Sequence, residues 1–182
     1  MASAALASMA AACSVSDHTP VPDRLPMVTP LVRLVSTYDA PIENRDFHEF
    51  LNGKKRYDEN FRKPGGDDHL TIVDCQRVSK IGIAFELDLS DVPRVRSVRD
   101  VVLKFVWTHS DRNLERGKYE RFRGGYFPTG GDVGRYVDTL DIEYEHERAE
   151  GTYSVEVYYR GQELYSDSFS FVGCKKETPS RQ

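Results

Sequence analysis

Residues 151–171 read GTYSVEVYYRGQELYSDSFSF. Tyr153, Val155, Val157 and Tyr159 recur with period two, while Ser154, Glu156, Tyr158 and Arg160 occupy the alternate positions. That spacing describes a half-buried β-strand, because successive side chains of a strand point to opposite faces. Gly161, inside a short polar interruption, supplies a residue that reaches φ > 0 and lets the chain reverse. The return strand carries Leu164, Phe169 and Phe171. Leu164 differs in parity from the two phenylalanines, so burying all three predicts a bulge near Ser166 or Asp167. One wet face and one apolar face is the signature of an antiparallel pair.

Working outward, the same pattern repeats. Leu31–Tyr38, His69–Val78, Lys80–Leu89, Val98–His109, Lys118–Phe127 and Arg135–His146 each read as strands rich in β-branched and aromatic residues. Ile81, Ile83, Phe85, Leu87 and Leu89 alternate cleanly, and Val102, Phe105, Val106 and Trp107 form the denser run of a central strand. Only ENRDFHEFLNG, residues 43–53, has helical spacing: Phe47, Phe50 and Leu51 share a face and Gly53 falls at a C-terminal cap. About eight strands with turn signals between them and one short helix on a connection predict an all-β, antiparallel two-sheet sandwich, immunoglobulin-like in the broad sense. A closed barrel is the alternative architecture.

The 182 residues divide into a signal-like segment and Pro-rich tether (1–29), a sandwich domain (30–174) and a short tail (175–182) expected to be disordered. Hydrophobic content of 39% and charged content of 30% are ordinary for a globular chain, and a net charge of −4 argues against nucleic acid as a partner. No apolar stretch is long enough for a transmembrane helix. Met1–Ala12, MASAALASMAAA, is nearly all small residues and runs into Cys13, the order of an export leader with Cys13 as its lipid-bearing membrane tether. Against that reading, the leader lacks Lys or Arg and has Ala10 three positions before Cys13. A transit peptide or a cloning remnant is the other account of the same residues. Setting Cys13 aside leaves Cys75 and Cys174, either a disulfide in an oxidising compartment or two separate thiols that pack as small apolar groups.

The order RVSKIGIAFELDL (77–89), DVVLKFVWTHSDRNLERGKYERF (100–122) and EGTYSVEVYYRGQELYSDSFSF (150–171) resembles a bacterial family of small immunoglobulin-like β-sandwich domains of unknown function. The resemblance covers roughly Leu70 to Phe171 and implies the fold alone, since folds of this kind host unrelated functions.

Candidate chemistry is sparse. His109, Ser110 and Asp111 are the residue types of a hydrolytic triad, but strand neighbours face opposite ways and no G-x-S-x-G elbow exists. Gly65–His69 (GGDDH) offers oxygen ligands without the spacing of a calcium loop. Glu143 and Glu145, read as one strand face, are raw material for glycosidic acid–base chemistry, though an aggregation-blocking charged edge explains them as well. Zinc, P-loop and dinucleotide spacings are missing. Tyr119, Phe122 and Tyr126, with Arg121 among them, make an aromatic and basic patch able to stack a sugar ring or a peptide.

These residues predict a non-enzymatic binding or assembly module of the bacterial periplasm or envelope, with a protein or glycan partner and no cofactor or metal. Two alternatives stand beside it: a hydrolase using His109 and Asp111, and a cytoplasmic regulator or immunity-type protein.

Overall fold

A computed structural model describes residues 24–51, 60–62, 71–92, 101–110, 118–124 and 131–174. Nine strands and one helix lie among them: β1 (Met27–Thr37), α1 (Asn44–Leu51), β2 (Phe61–Arg62), β3 (Thr71–Asp74), β4 (Val78–Asp88), β5 (Val102–His109), β6 (Lys118–Gly124), β7 (Val133–Asp141), β8 (Gly151–Tyr159) and β9 (Gln162–Val172). They form a four-stranded sheet in the order β2-β1-β4-β7 and a five-stranded sheet in the order β3-β9-β8-β5-β6. The eight strands expected from the periodicity are all present, and the two-residue β2 is added. The side chains of Phe47, Phe50 and Leu51 on α1, and Gly53 beyond it, lie outside the described part.

The strand order is immunoglobulin-like. β1, β4 and β7 form one sheet, while β5, β8 and β9 sit together in the other, with long connections crossing between the sheets. Two packing features of that architecture appear with it. Trp107, on the inner strand β5, is fully buried. Tyr153, near the start of β8, donates its hydroxyl proton to the carbonyl of Glu147 at 3.0 Å, six residues upstream, the tyrosine-corner arrangement.

Three expectations need correction. The sandwich is not wholly antiparallel: β3 runs parallel to β9, pairing Thr71 with Phe169 through Asp74 with Val172. β1 and β3 belong to opposite sheets, with β3 at the edge alongside β9. Second, the strand expected over Arg135–His146 ends at Asp141, and Glu145–Glu147 form a 3-10 turn. Glu147 ends the ladder by turning its carboxylate back to accept from the backbone N–H groups of Glu143 and Tyr144, both at 2.9 Å. Third, the bulge is at Leu164. Tyr158 pairs with Glu163 and Val157 with Tyr165, leaving Leu164 as the extra residue. The irregularity follows the two-residue turn directly, and parity beyond it sends Tyr165, Asp167, Phe169 and Phe171 inward.

Between the sheets Ile81, Ile83, Phe85 and Leu87 of β4 meet Leu103, Phe105 and Trp107 of β5, Val155 and Val157 of β8, and Phe169 and Phe171 of β9. Phe85 stacks on Tyr136 at 5.8 Å and packs obliquely on Phe105 and Tyr165. Each fully buried side chain of this size contributes about 1.5–3 kcal/mol. Two polar pairs bridge the layers inside this apolar mass. The Trp107 indole N–H donates to Asp138 of β7 at 2.7 Å. The Arg33 guanidinium grips Asp167 through two hydrogen bonds of 2.7 Å, with side-chain exposures of 10% and 4%. Tyr165 adds a third donor to the same carboxylate at 2.8 Å.

The two outer faces differ. Val32, Leu34 and Ala84, on the outer face of the four-stranded sheet, pack with Ile42 and Phe61 from the insertion between β1 and β3. The outer face of the five-stranded sheet carries Val102, Lys104, Val106 and Thr108 of β5 beside Ser154, Glu156 and Tyr158 of β8.

Candidate functional site

That outer face carries an open groove of about 440 Å³ lined by Val102, Lys104, Tyr158, Arg160 and Gly161. Strand register builds it. Lys104 stands opposite Tyr158 on the β5–β8 ladder, and the turn joining β8 to β9 places Arg160 and Gly161 at the end. That turn has two central residues at φ +49 and +82, the pair of positive values that matches a hairpin's twist. Arg160 is the only non-glycine residue with positive φ among the described residues. Asn or Gly is the cheap choice there, and an arginine in the left-handed region costs about 1–2 kcal/mol.

Each charged group in the groove has a neighbour of opposite sign or a π-face. Lys104 Nζ lies 2.9 Å from Glu120 of β6. The Tyr158 hydroxyl donates to Glu156 at 2.7 Å, a bond that favours the protonated phenol and pushes its pKa up to about 12, with burial and the charges of Glu156 and Glu163 adding to the rise. Tyr158 is therefore a neutral hydrogen-bonding ring at ordinary pH. The Arg160 guanidinium sits 5.3 Å from the centre of the Tyr159 ring, within the range of a cation–π contact.

The sequence-derived candidates are distributed more widely. Tyr119, Arg121 and Phe122 lie on β6, in register with Trp107, Phe105 and Lys104. Trp107 and Phe105 belong to the core face and Lys104 to the outer face. The side chains of all three β6 residues, and the whole of Tyr126, fall outside the described part. So do Cys13, Asp111 and the 65–69 loop. Cys75 and Cys174 are joined, with Sγ atoms 2.05 Å apart across a separation of 99 residues. The bond ties the end of β3 to the end of β9. Alongside it the Cys75 N–H donates to Val172 and the Gln76 amide to Gly173.

His109 has a structural setting. It is 4% exposed, its ring packs edge-on to Tyr153 at 4.5 Å, and Nε2 lies 3.2 Å from the carbonyl oxygen of Ala149. A carbonyl only accepts, so that bond assigns the ring proton to Nε2. Ser110 closes the same corner by accepting from the Thr152 N–H at 2.9 Å. Glu143 and Glu145, expected on one strand face, fall either side of the strand end: Glu143 beyond β7, Glu145 inside the 3-10 turn. No group of three or more His, Cys, Asp or Glu able to hold a metal occurs among the described residues. No described helix is long and apolar enough to cross a membrane.

The groove was not singled out by sequence reading, which assigned Tyr158 and Arg160 to the polar face of the strand. The one local signal was a long cation directly before the turn glycine, where Asn-Gly or Asp-Gly is favoured.

No family model matches the chain, and no curated protein matches it in sequence. Among solved structures it is distantly similar to an immunoglobulin-like protein from Pseudomonas aeruginosa, at 14% identity and a TM-score of 0.43, over 80% of this chain and 91% of that one. It is also similar to part of the Pseudomonas fluorescens alkylpurine DNA glycosylase AlkC, solved with DNA containing an abasic site analogue. That match has 14% identity and a TM-score of 0.34, over 59% of this chain and 28% of the glycosylase. Likeness at this level adds nothing to the strand order, and DNA binding remains a property of the glycosylase. The chain is an immunoglobulin-like β-sandwich, an architecture whose functions reside in surfaces grafted on the fold.

Proposed function

We propose that the protein is a non-enzymatic binding or assembly module of the bacterial envelope, engaging its partner through the outer face of the five-stranded sheet. The groove on that face carries the reading: it is concave, contains an aromatic ring with donors and acceptors around it, and is floored by a rigid ladder. On the outer face of the other sheet, Val32, Leu34 and Ala84 pack with Ile42 and with Phe61 of the edge strand β2. Of the β6 candidates, Phe122 pairs with the groove residue Lys104, while Tyr119 and Arg121 pair with Trp107 and Phe105 of the core face.

Two observations support the envelope address. A bridge between Cys75 and Cys174 suits an oxidising compartment, and the Met1–Cys13 stretch reads as a leader with a lipid-bearing cysteine. Intact mass of the protein isolated from its own host tests the address. Cleavage ahead of Cys13 with added lipid and a two-proton loss supports it; a full-length chain with three free thiols contradicts it. Partner capture by Lys104→Ala and Tyr158→Ala variants tests the surface, and binding that survives both substitutions would overturn it.

A further inference from the structure

We propose that the groove at Val102, Lys104, Tyr158 and Arg160 takes a neutral oligosaccharide, a proposal that rests on the sheet-face reading above and narrows it to one ligand chemistry. The first argument is the mixing of both signs of charge. Lys104 and Arg160 bring two positive charges to the groove lining, while Glu120, on Lys104, and Glu156, on Tyr158, bring two negative ones beside it. Glu163, opposite Tyr158 in register, adds another carboxylate at the margin. An anion drawn to Arg160 meets Glu156 and Glu163, and a cation drawn to those carboxylates meets Arg160 and Lys104. A sugar hydroxyl is donor and acceptor at once, so it donates to the carboxylates and accepts from the guanidinium and ammonium without paying repulsion from either.

The second argument is shape. Tyr158 and the exposed Val102 offer an aromatic face and an aliphatic surface in an open trough rather than an enclosed cavity. A pyranose ring presents one apolar C–H face with hydroxyls at its rim, which matches an aromatic platform ringed by polar groups. A volume of about 440 Å³ lies within the range of small-ligand sites.

The third argument comes from the backbone. Arg160 holds a left-handed conformation at the tip of the hairpin, where glycine would be relaxed. Strained residues that persist cluster at ligand sites. Arg160 lines the groove's end; its guanidinium rests against the ring of Tyr159, a core-face residue, and has no ion pair among the described residues.

The test is titration of the full chain, followed by backbone amide resonances, with maltohexaose, cellohexaose and chitohexaose, and in parallel with a polyglutamate peptide. The proposal predicts that at least one neutral hexasaccharide shifts Val102, Lys104, Tyr158 and Gly161 while the peptide does not. Arg160→Gly relieves the backbone, so it is expected to weaken that binding at least tenfold while leaving the melting temperature equal or higher. Tyr158→Phe, which keeps the ring, retains most of the affinity, and Tyr158→Ala loses it. Absence of shifts with all three sugars, or shifts confined to another face, overturns the proposal. Binding of the peptide alone at these residues refutes the sugar chemistry and leaves the sheet-face reading standing. If no probe binds and partner capture is also indifferent to Tyr158→Ala and Arg160→Gly, both readings fall.

Discussion

Gly151 shows how a single residue can be fixed by its neighbours. Its φ of +143 is outside the range of ordinary side chains, and a Cβ there would stand 2.5 Å from Ser110 Oγ and 3.0 Å from the His109 ring. Gly161 also has positive φ, but a Cβ there meets nothing within 4 Å. Gly151→Ala is therefore expected to cost more than Gly161→Ala, about 2–4 kcal/mol against about 1 kcal/mol in denaturant unfolding. Equal costs would mean that the corner at His109 is looser than its distances imply. The tyrosines supply a second residue-level expectation. Burial raises the pKa of Tyr136 and of Tyr165, and the Glu156 bond raises that of Tyr158 to about 12. A group whose pKa is raised on folding contributes fully below its unfolded value and loses that contribution as pH climbs through the folded one. Stability is thus expected to hold up to about pH 10 and to fall steeply above it, with late phenolate absorbance in an ultraviolet titration. The Tyr158→Phe variant should show one late-titrating phenol fewer.

Pairs and elements explain why much of the fold was legible and the inter-sheet chemistry was not. Tyr153, Val155, Val157 and Tyr159 declare a buried face in one strand, and all four are buried. Asp167 carries no such signal, since an aspartate at an inward position reads as a turn or an error until Arg33, 134 positions away, is placed opposite it. The same holds for Asp138 beneath Trp107. The parallel β3–β9 pair was also invisible, because period-two spacing specifies a strand and not its neighbour. The Arg33–Asp167 pair predicts an asymmetric mutational pattern. Arg33→Met alone leaves a buried carboxylate without its cation and is expected to cost about 3–5 kcal/mol, whereas adding Asp167→Leu recovers most of that loss. A double variant no better than the single one would show that the pair itself supplies the stability. The Cys75–Cys174 bond makes an element-level prediction. β3 has four residues and is held at an edge. Cys75→Ala with Cys174→Ala is expected to cost about 2–5 kcal/mol and to raise amide exchange at Thr71–Asp74 and Phe169–Val172 before it does so in β4 or β7.

For the whole molecule, the contrast between its two outer faces connects fold to function. Ile42 and Phe61 pack on the outer face of one sheet, and the hairpin that first revealed the fold also supplies Tyr158, Arg160 and Gly161 to the groove on the other. Sequence reading found the hairpin and missed the groove because the groove exists only when β5 lies beside β8 and brings Val102 and Lys104 to those residues. Of the patch it did single out, Tyr119, Arg121 and Phe122 lie on the next strand, β6. One measurement tests the central claim most directly. A photo-reactive benzophenone side chain is placed at Tyr158 and, in a control chain, at Lys80 on the other sheet; each chain is irradiated in its own host and its adducts are weighed. The account predicts a discrete adduct from position 158 that is lost with Arg160→Gly, and none from position 80. Equal labelling from both positions, or a position-158 adduct indifferent to Arg160→Gly, would contradict it.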